Sequence, residues 1–292
     1  MVRPRRWLAA ILTVSACLIG APRESATAED PAPAPPSYRV IPLDGVPTGW
    51  IVGRCRLTTT VPRWNVAAKA RCREERELPS ELPTERMIAA ADGGLGDCVV
   101  SLKEIAAGKD WPEEMRPESR AYALEVGGRQ FAPHVGTARI GTQVSVSNGG
   151  PCDVGLHGFF RSTAETKFNF AVDPKRTLTE IADAFLERPG LYLVRNDCCA
   201  YQSGAIHVMA HPYVALTSAK GTEDRPPGSY SISRVPAGEY ELVCWHEGMA
   251  ETSLGGNFTY APDVVLTRRV VVKDRETIAV DFDVPAPVRR AK

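Results

Sequence analysis

The residues of this chain that could do chemistry are its 8 cysteines and 5 histidines. Thiolate and imidazole are ligands that copper and zinc accept, and both groups can act as nucleophile or base. The local motifs C-x-x-C, H-E-x-x-H and G-x-S-x-G are all absent. His207 and His211 lie in a strand-like segment, where positions four apart are about 13 Å from each other, too far to chelate one ion. No catalytic residue is therefore predicted, and we do not expect an enzyme.

The N-terminal segment has the three parts of a signal peptide. Three arginines lie within the first six residues, an apolar run spans residues 7–21, and Ala26-Thr-Ala28 supplies the small-x-small site that signal peptidase cuts. We therefore expect export to the periplasm or secretion, with Glu29 as the first mature residue. The alternative is that Val14–Cys17 is a lipoprotein box, in which case an acylated Cys17 anchors the protein to a membrane surface.

The charge balance excludes some classes of partner. The chain has 35 basic and 35 acidic residues, and cleavage before Glu29 removes four arginines and one glutamate, which leaves 31 against 34. A nucleic-acid-binding protein carries a basic excess, so no nucleic acid is expected. After residue 28 no apolar run is long enough to cross a bilayer, so the mature protein is not expected to be an integral membrane protein. The expected partner is another exported protein or a component of the cell envelope.

The sequence after the signal peptide predicts an all-β fold. Short runs of alternating apolar and polar residues are separated by many of the 24 glycines and 24 prolines, which is typical of antiparallel β-sandwiches. The predicted strands are 50–57, 98–102, 143–147, 191–194, 205–208, 213–216, 229–232, 240–244, 269–272 and 278–282.

Two segments depart from the strand pattern. Residues 177–186 place apolar side chains at helical spacing, Thr177 and Glu180 have the spacing of a capping box, and Pro189 follows as a stop, so one short helix is predicted. Residues 74–87 are charged and interrupted by proline, which favours a surface excursion.

Six short motifs occur in one order along the chain, and together they carry a resemblance. They are Gln130–Val135, Asn148 with Leu156-His157, Lys167–Phe170, His211–Thr217, Val235–Tyr240 and Cys244–Glu247. This order resembles that of exported plastocyanin-like (cupredoxin-like) proteins of the methylamine-utilisation or carboxypeptidase-regulatory-like type. The match extends from about Gly49 to Val284.

The resemblance implies two β-sandwich units, one cupredoxin-like and one similar to the transthyretin-like module of carboxypeptidases. The expected organisation is a signal peptide (1–28), a Pro/Ala-rich spacer (29–40), an N-terminal β-rich region (41–125), a cupredoxin-like domain (126–212), a carboxypeptidase-regulatory-like β-sandwich (213–287) and a basic tail (288–292).

The resemblance also implies where copper ligands would stand. Family members that bind copper use one His and then a Cys-x-x-His-x-x-Met loop. Here His157 matches the first ligand, Asn196 stands at the thiolate position, Cys199 at the second His and Gln202 at the Met. A neutral amide cannot supply the short, charge-donating copper–sulfur bond, so the resemblance implies a degenerate copper site. A slip of one or two residues would instead make Cys198 or Cys199 the thiolate.

Three functions follow as expectations. The first is an exported, non-enzymatic protein with a binding or structural role, without cofactor and with its blue-copper site lost. The alternatives are a copper-binding electron-transfer protein with altered ligands, and a carbohydrate- or peptide-binding module. The third rests on analogy of fold alone.

Disulfides are the expected state of cysteine in an exported protein. Seven cysteines remain after cleavage, so at least one is unpaired, bound to a metal or shared between chains. The resemblance brings the Cys152 loop to the same end of the sandwich as Cys198 and Cys199, so a bridge from Cys152 to one of them is expected. Cys55 with Cys72 and Cys98 with Cys244 are further pairings that the sequence leaves open.

Export gives the first testable prediction. N-terminal sequencing or mass spectrometry of the protein recovered from the periplasm or medium is expected to begin at Glu29, because Ala26 and Ala28 occupy the small-residue positions before it. The control variant Ala28→Asp is expected to retain the precursor. An acylated Cys17 at the N-terminus would contradict the prediction.

Overall fold

The computed structural model describes residues 38–59, 65–67, 81–83, 87–115, 121–127, 130–248, 250–254, 257–260 and 262–286. The predicted signal peptide, residues 29–37 of the spacer, most of the 74–87 excursion, Cys72 and the 288–292 tail lie outside these residues. Within the described ranges, no helix has the length and apolar character needed to span a bilayer.

The described chain is built from strands, which confirms the predicted all-β class. Apart from a 3₁₀ turn at Glu113–Met115, its elements are β1 (Arg39–Val40), β2 (Thr48–Leu57), β3 (Asn65–Ala67), β4 (Glu81–Pro83), β5 (Val99–Leu102), β6 (Ala107–Gly108), β7 (Tyr122–Glu125), β8 (Val135–Arg139), β9 (Gln143–Asn148), β10 (Val154–Phe160), β11 (Glu165–Val172), β12 (Arg176–Phe185), β13 (Gly190–Asn196), β14 (Cys199–Met209), β15 (Val214–Leu216), β16 (Ser229–Pro236), β17 (Gly238–His246), β18 (Ala250–Leu254), β19 (Asn257–Tyr260), β20 (Val264–Val272), β21 (Thr277–Ala279) and β22 (Phe282–Val284).

Two sheets enclose the first of two large cores, and we call this unit the outer sandwich. One sheet has the order β15-β5-β17-β20, and the other has the order β16-β2-β21, with β22 also paired to β2. Strands alternate their side chains between faces, so each sheet sends every second residue inward. Ile51 from β2, Leu242 from β17 and Val270 from β20 meet in the core between the sheets.

Two further sheets enclose the second core, and we call this unit the middle sandwich. Its sheets have the orders β11-β10-β13-β14-β8 and β12-β9-β7. Leu156 from β10, Tyr192 from β13 and Val146 from β9 are all at most 1% exposed and pack in this core.

The outer sandwich is assembled from both ends of the described chain. β2 pairs with β16, β21 and β22, and β5 pairs with β15 and β17. Strands from the expected N-terminal region (41–125) and from the expected C-terminal sandwich (213–287) therefore share hydrogen-bonded sheets. The middle sandwich, β7 to β14, is inserted between them in sequence.

The predicted helix at 177–186 is wrong, because all of these residues except the last belong to β12. β12 pairs with β9 through two register irregularities, one of them between Glu180 and Phe185. A bulge inserts an extra residue and changes which face the following residues occupy. Ile181 and Ala184 therefore both pack toward the core, while Phe185 is 42% exposed. Two core-facing residues that are three positions apart in sequence produce the same pattern as one face of a helix.

The two sandwiches meet at a small third cluster of apolar residues. It contains Val99 and Trp245 from the outer sandwich and Val135 and Ala205 from the middle sandwich, all at most 7% exposed. Trp245 reaches it because it follows Cys244 on β17 and points to the opposite face. β17 therefore supplies side chains both to the outer core and to the junction.

Gly53 gives a prediction on the fold. A Cβ at Gly53 would lie 1.8 Å from the backbone oxygen of Val280 and 2.9 Å from the Tyr230 ring. Because a backbone atom cannot move aside without breaking the β2–β21 pairing, Gly53→Ala is expected to lower the free energy of unfolding by at least about 1–3 kcal/mol in urea titration. The matched variant Gly149→Ala, whose Cβ would meet only the Glu125 carboxylate at 3.9 Å, should stay within about 0.5 kcal/mol of wild type. Equal losses in both variants would refute the role given to Gly53.

Candidate metal centre

Asn196 and Gln202, two of the expected copper-site positions, are hydrogen-bonded to each other. The Asn196 Nδ2 atom donates to the Gln202 Oε1 atom at 2.7 Å, and both residues are fully buried. The Asn196 Oδ1 atom accepts from the backbone N–H groups of Gly155 at 3.2 Å and Cys198 at 3.0 Å. We call Asn196 and Gln202 the amide pair. It ties the end of β13 to β10 and β14.

His157, the expected first copper ligand, faces away from the amide pair. In the antiparallel pairing of β10 with β13, Leu156 is opposite Asn196 and His157 is opposite Arg195. Opposite residues share a face and neighbouring residues alternate. Leu156 and Asn196 therefore point into the core, and His157 and Arg195 point to the outer face.

Both ring nitrogens of His157 already have partners on that outer face. The Nδ1 atom lies 3.1 Å from Asp197 Oδ2, and the Nε2 atom lies 2.9 Å from Thr166 Oγ1. Arg195 donates from Nε to the same Asp197 carboxylate at 2.8 Å. The structure thus gives His157 a polar network of its own.

The described residues do not fit a blue-copper centre at these positions. Cys199 lies opposite Asn196 in the β13–β14 pairing, but its side chain is outside the described part of the structure. His157 is on the other face, and both oxygens of the amide pair already accept hydrogen bonds, the Gln202 oxygen from Asn196 Nδ2 and the Asn196 oxygen from backbone N–H groups. A type-1 site needs two imidazoles and a thiolate converging on one ion.

The cysteines near this end bear on the expected bridge from Cys152. Cys152 is 2% exposed, and Cys198 is an exposed, free thiol. Of the two expected partners, Cys198 is therefore not joined to Cys152. A Cys152–Cys199 bridge stays a prediction.

Three other cysteines meet in the core of the outer sandwich, and we call them the thiol centre. Cys55, Cys98 and Cys244 are at most 1% exposed, and their Sγ atoms all lie within 4.8 Å of one another. The Sγ atoms of Cys55 and Cys244 are 3.7 Å apart. All three are free thiols, so the pairings of Cys55 with Cys72 and of Cys98 with Cys244 that the sequence left open are absent.

The backbone around Cys55 is held on both sides. Its N–H donates to the Gly228 carbonyl at 2.9 Å, and its carbonyl accepts from the Leu95 N–H at 2.9 Å. Gly228 has a φ of +78°, and a Cβ there would lie 2.4 Å from the Cys55 oxygen. Only glycine satisfies both conditions, so this residue fixes how closely the neighbouring loop approaches Cys55.

Cys98 and Cys244 are placed by β5 and β17. Cys98 immediately precedes β5, its N–H donates to the Thr217 hydroxyl oxygen at 3.0 Å, and that hydroxyl donates to the Leu95 carbonyl at 2.7 Å. Asp97, with a φ of 58°, turns the chain into the left-handed region just before it. Cys244 is opposite Val100 of β5, so it lies on the strand beside the one that Cys98 immediately precedes.

The pKa values of the three thiols are shifted in different directions. Hydrogen bonds from Cys55 and Cys98 lower the pKa of Cys244 to about 4. The hydrogen bond to Cys244, followed by the hydrogen bond to Cys98 and then by burial, raises the pKa of Cys55, and the hydrogen bond to Cys244 also raises the pKa of Cys98. Hydrogen bonding among the three thiols therefore raises the pKa of two of them and lowers that of the third.

Buried polar groups continue from the thiol centre to the junction. His246 is two residues after Cys244 on β17, its Nδ1 atom lies 2.8 Å from the Glu247 carbonyl, and its Nε2 atom has no hydrogen-bond partner among the described residues. Because the carbonyl can only accept, Nδ1 carries the proton and Nε2 a lone pair. Burial lowers the pKa of His246 and raises the pKa of Asp97.

A partly buried hydrogen bond also connects the middle sandwich with the outer sandwich. His134, which precedes β8, has its Nε2 atom 2.6 Å from the Glu247 carboxylate and its Nδ1 atom 2.9 Å from the Ser203 carbonyl. His207 packs edge-on against Trp245 with the ring centroids 4.3 Å apart, and burial lowers its pKa to about 4. His134 and His207 thus both contact residues at the C-terminal end of β17 or just beyond it, Glu247 and Trp245.

Sequence reasoning missed the thiol centre because its members have no local signature. Cys55, Cys98 and Cys244 are far apart in the chain and stand in three different predicted strands. The available signal was that each stands in an apolar, alternating run, which predicts an inward side chain. Which of these core-facing side chains contact one another depends on the order of the strands in the sheets, and the local pattern does not determine that order.

Comparisons with known proteins give limited similarity. No family model matches the chain, and no curated protein matches it. Among solved structures, a purple cupredoxin from Nitrosopumilus maritimus is 14% identical, with a TM-score of 0.25, over 30% of this chain and 99% of that chain. The reduced state of an amicyanin mutant is 10% identical, with a TM-score of 0.25, over 38% of this chain and 98% of that chain. Likeness at this level carries no argument about function.

The amide pair gives a stability prediction. Asn196→Ala leaves the Gln202 oxygen and two backbone N–H groups without their buried partner, so the free energy of unfolding is expected to fall by about 1–3 kcal/mol. Combined with Gln202→Ala in a double-mutant cycle, it should show a coupling energy of at least about 0.5 kcal/mol. The exposed Asn169→Ala serves as a control and should change stability by less than about 0.5 kcal/mol. Additive losses in the cycle would count against a direct Asn196–Gln202 interaction.

Proposed function

We propose that this chain is an exported, non-enzymatic β-sandwich protein with a binding or structural role, in which an amide pair replaces a blue-copper site. The observation that carries the proposal is the 2.7 Å hydrogen bond between the fully buried Asn196 and Gln202 side chains. Export is supported by the signal-peptide pattern, and a non-enzymatic role by the lack of a nucleophile or metallohydrolase motif in the sequence.

The amide pair supports the proposal that this chain does not transfer electrons through a copper ion, for two reasons. A type-1 copper ion depends on a thiolate, whose negative charge and softness give the short copper–sulfur bond that an amide cannot form. To bind an ion, the pair would also have to give up its mutual hydrogen bond in a buried place, where each unsatisfied group costs about 1–3 kcal/mol. Both effects oppose metal at this end of the middle sandwich.

The amide pair still holds the neighbouring strands together. Asn196 links three strands, because it contacts Gly155 at β10, Gln202 on β14 and the backbone of Cys198 beyond β13. In copper proteins the ion and its ligands hold such loops together. Here polar side chains hold them instead, and the loops remain available as an ordered surface for a partner in the exported compartment.

Copper(II) titration of the full mature chain tests this function. Because Asn196 stands at the thiolate position, we expect no intense thiolate-to-copper charge-transfer band in the visible spectrum. The variant Cys199→Ser should give the same spectrum as wild type, and Cys198→Ser is the matched control for the neighbouring exposed thiol.

An intense blue or green band that disappears in Cys199→Ser would overturn the proposal and establish a copper carrier with altered ligands. A band that survives Cys199→Ser but disappears in Cys198→Ser would overturn it in the same way, with the thiolate one position earlier.

A further inference from the structure

We propose that Cys55, Cys98 and Cys244 form a binding site for a soft monovalent metal ion, Cu(I), in the core of the outer sandwich. The site is separate from the amide pair in the middle sandwich. The inference therefore stands or falls independently of the proposed function.

The spacing of the sulfur atoms fits one metal ion. A metal–sulfur bond of about 2.3 Å, the value for zinc thiolates, separates the sulfurs of a trigonal site by about 4 Å. The three Sγ atoms lie within 4.8 Å of one another, and those of Cys55 and Cys244 are 3.7 Å apart. A small adjustment of Cys98 or of its neighbours brings all three sulfurs to bonding distance from a common point.

The number of ligands favours Cu(I) over other metals. Among the described residues, no fourth His, Cys, Asp or Glu joins the group, and burial to at most 1% exposure leaves no room for bulk water as a ligand. Zn²⁺ in structural sites takes four ligands, and Ca²⁺ and Mg²⁺ take oxygens. Thiolates select soft ions, and Cu(I) is the soft ion that thiolate sites of low coordination number hold.

The surroundings keep the three thiols together without a metal. Gly228 and Leu95 fix the backbone of Cys55, and Thr217 fixes that of Cys98. The thiols come from both sheets of the outer sandwich, Cys55 from one and Cys98 and Cys244 from the other. An ion bound to all three would join the two sheets across the core.

In an oxidising compartment, the alternative to metal binding is a disulfide between two of these cysteines. The 3.7 Å between the Sγ atoms of Cys55 and Cys244 is well beyond a sulfur–sulfur bond of about 2.05 Å. A bridge between any two would leave the third buried thiol alone, whereas one ion uses all three. The experiment separates these two uses.

The test is anaerobic Cu(I) titration of the fully reduced mature chain against a coloured Cu(I) chelator such as bicinchoninate. Because the site is buried, the protein is loaded both by incubation and by refolding in the presence of Cu(I). We expect one Cu(I) per chain, an X-ray absorption signal with three sulfur neighbours, and a higher Tm, since an ion that binds only the folded state stabilises it.

Variants locate the ion. Cys55→Ser, Cys98→Ser and Cys244→Ser are each expected to weaken Cu(I) binding by about 100-fold or more, beyond the 10- to 100-fold typical of groups that only support a ligand. Cys198→Ser, which removes an exposed free thiol, should bind Cu(I) as wild type does. Circular dichroism of each metal-free variant separates loss of binding from loss of fold.

The proposal is overturned if the reduced wild-type protein takes no Cu(I) from the chelator, or if it binds Cu(I) with fewer than three sulfur neighbours. These two results need no variant to fold. Equal binding by Cys98→Ser also overturns it. Peptide mapping that finds a Cys55–Cys244 disulfide which re-forms in the presence of Cu(I) assigns the residues to a bridge instead.

Discussion

The outer sandwich depends on the return of the chain's last described strands to β2. β21 and β22 run parallel to β2, and the Arg54 N–H donates to the Asp281 carboxylate across 227 residues of sequence. Closing so long a loop costs entropy before any contact compensates for it. The middle sandwich, whose pairings are nearly all between nearby segments, has no such requirement. Cys55 and Cys244 meet through a second long-range pairing, that of β2 with β16, the strand before β17, so the thiol centre forms only when distant segments of the chain have come together.

Much of the fold was predictable because strand periodicity is local. The alternation in residues 50–57 marks β2 with Ile51 and Cys55 inward, and the structure has both fully buried. The segment 177–186 failed because a bulge in β12 brings two residues to one face at a spacing that imitates a helix. β10 and β11 were not predicted, since Gly155 and Gly158 interrupt the apolar pattern of the first. The structure explains Gly158: a Cβ there would lie 2.2 Å from the Phe168 ring.

The sites were predictable to the extent that their residues are local. Asn196 and Gln202 are six residues apart, and the resemblance assigned both to one loop before the structure joined them by a hydrogen bond. The face of His157 depends on the register between β10 and β13, and a shift of one residue in register reverses every side chain. Predicting the thiol centre requires the order in which three strands are arranged in two sheets. The local periodicity of the sequence does not contain that information.

The amide pair also bears on how such a site changes over evolutionary time. Each member satisfies the other in a buried place, so a single substitution toward a metal ligand at either position first removes a hydrogen bond and offers no metal in return. His157 would in addition have to exchange the outer face for the core face, which a point mutation on a strand does not achieve. If the amide pair replaced a copper site, as proposed above, the way back would pass through intermediates that are less stable and have no metal.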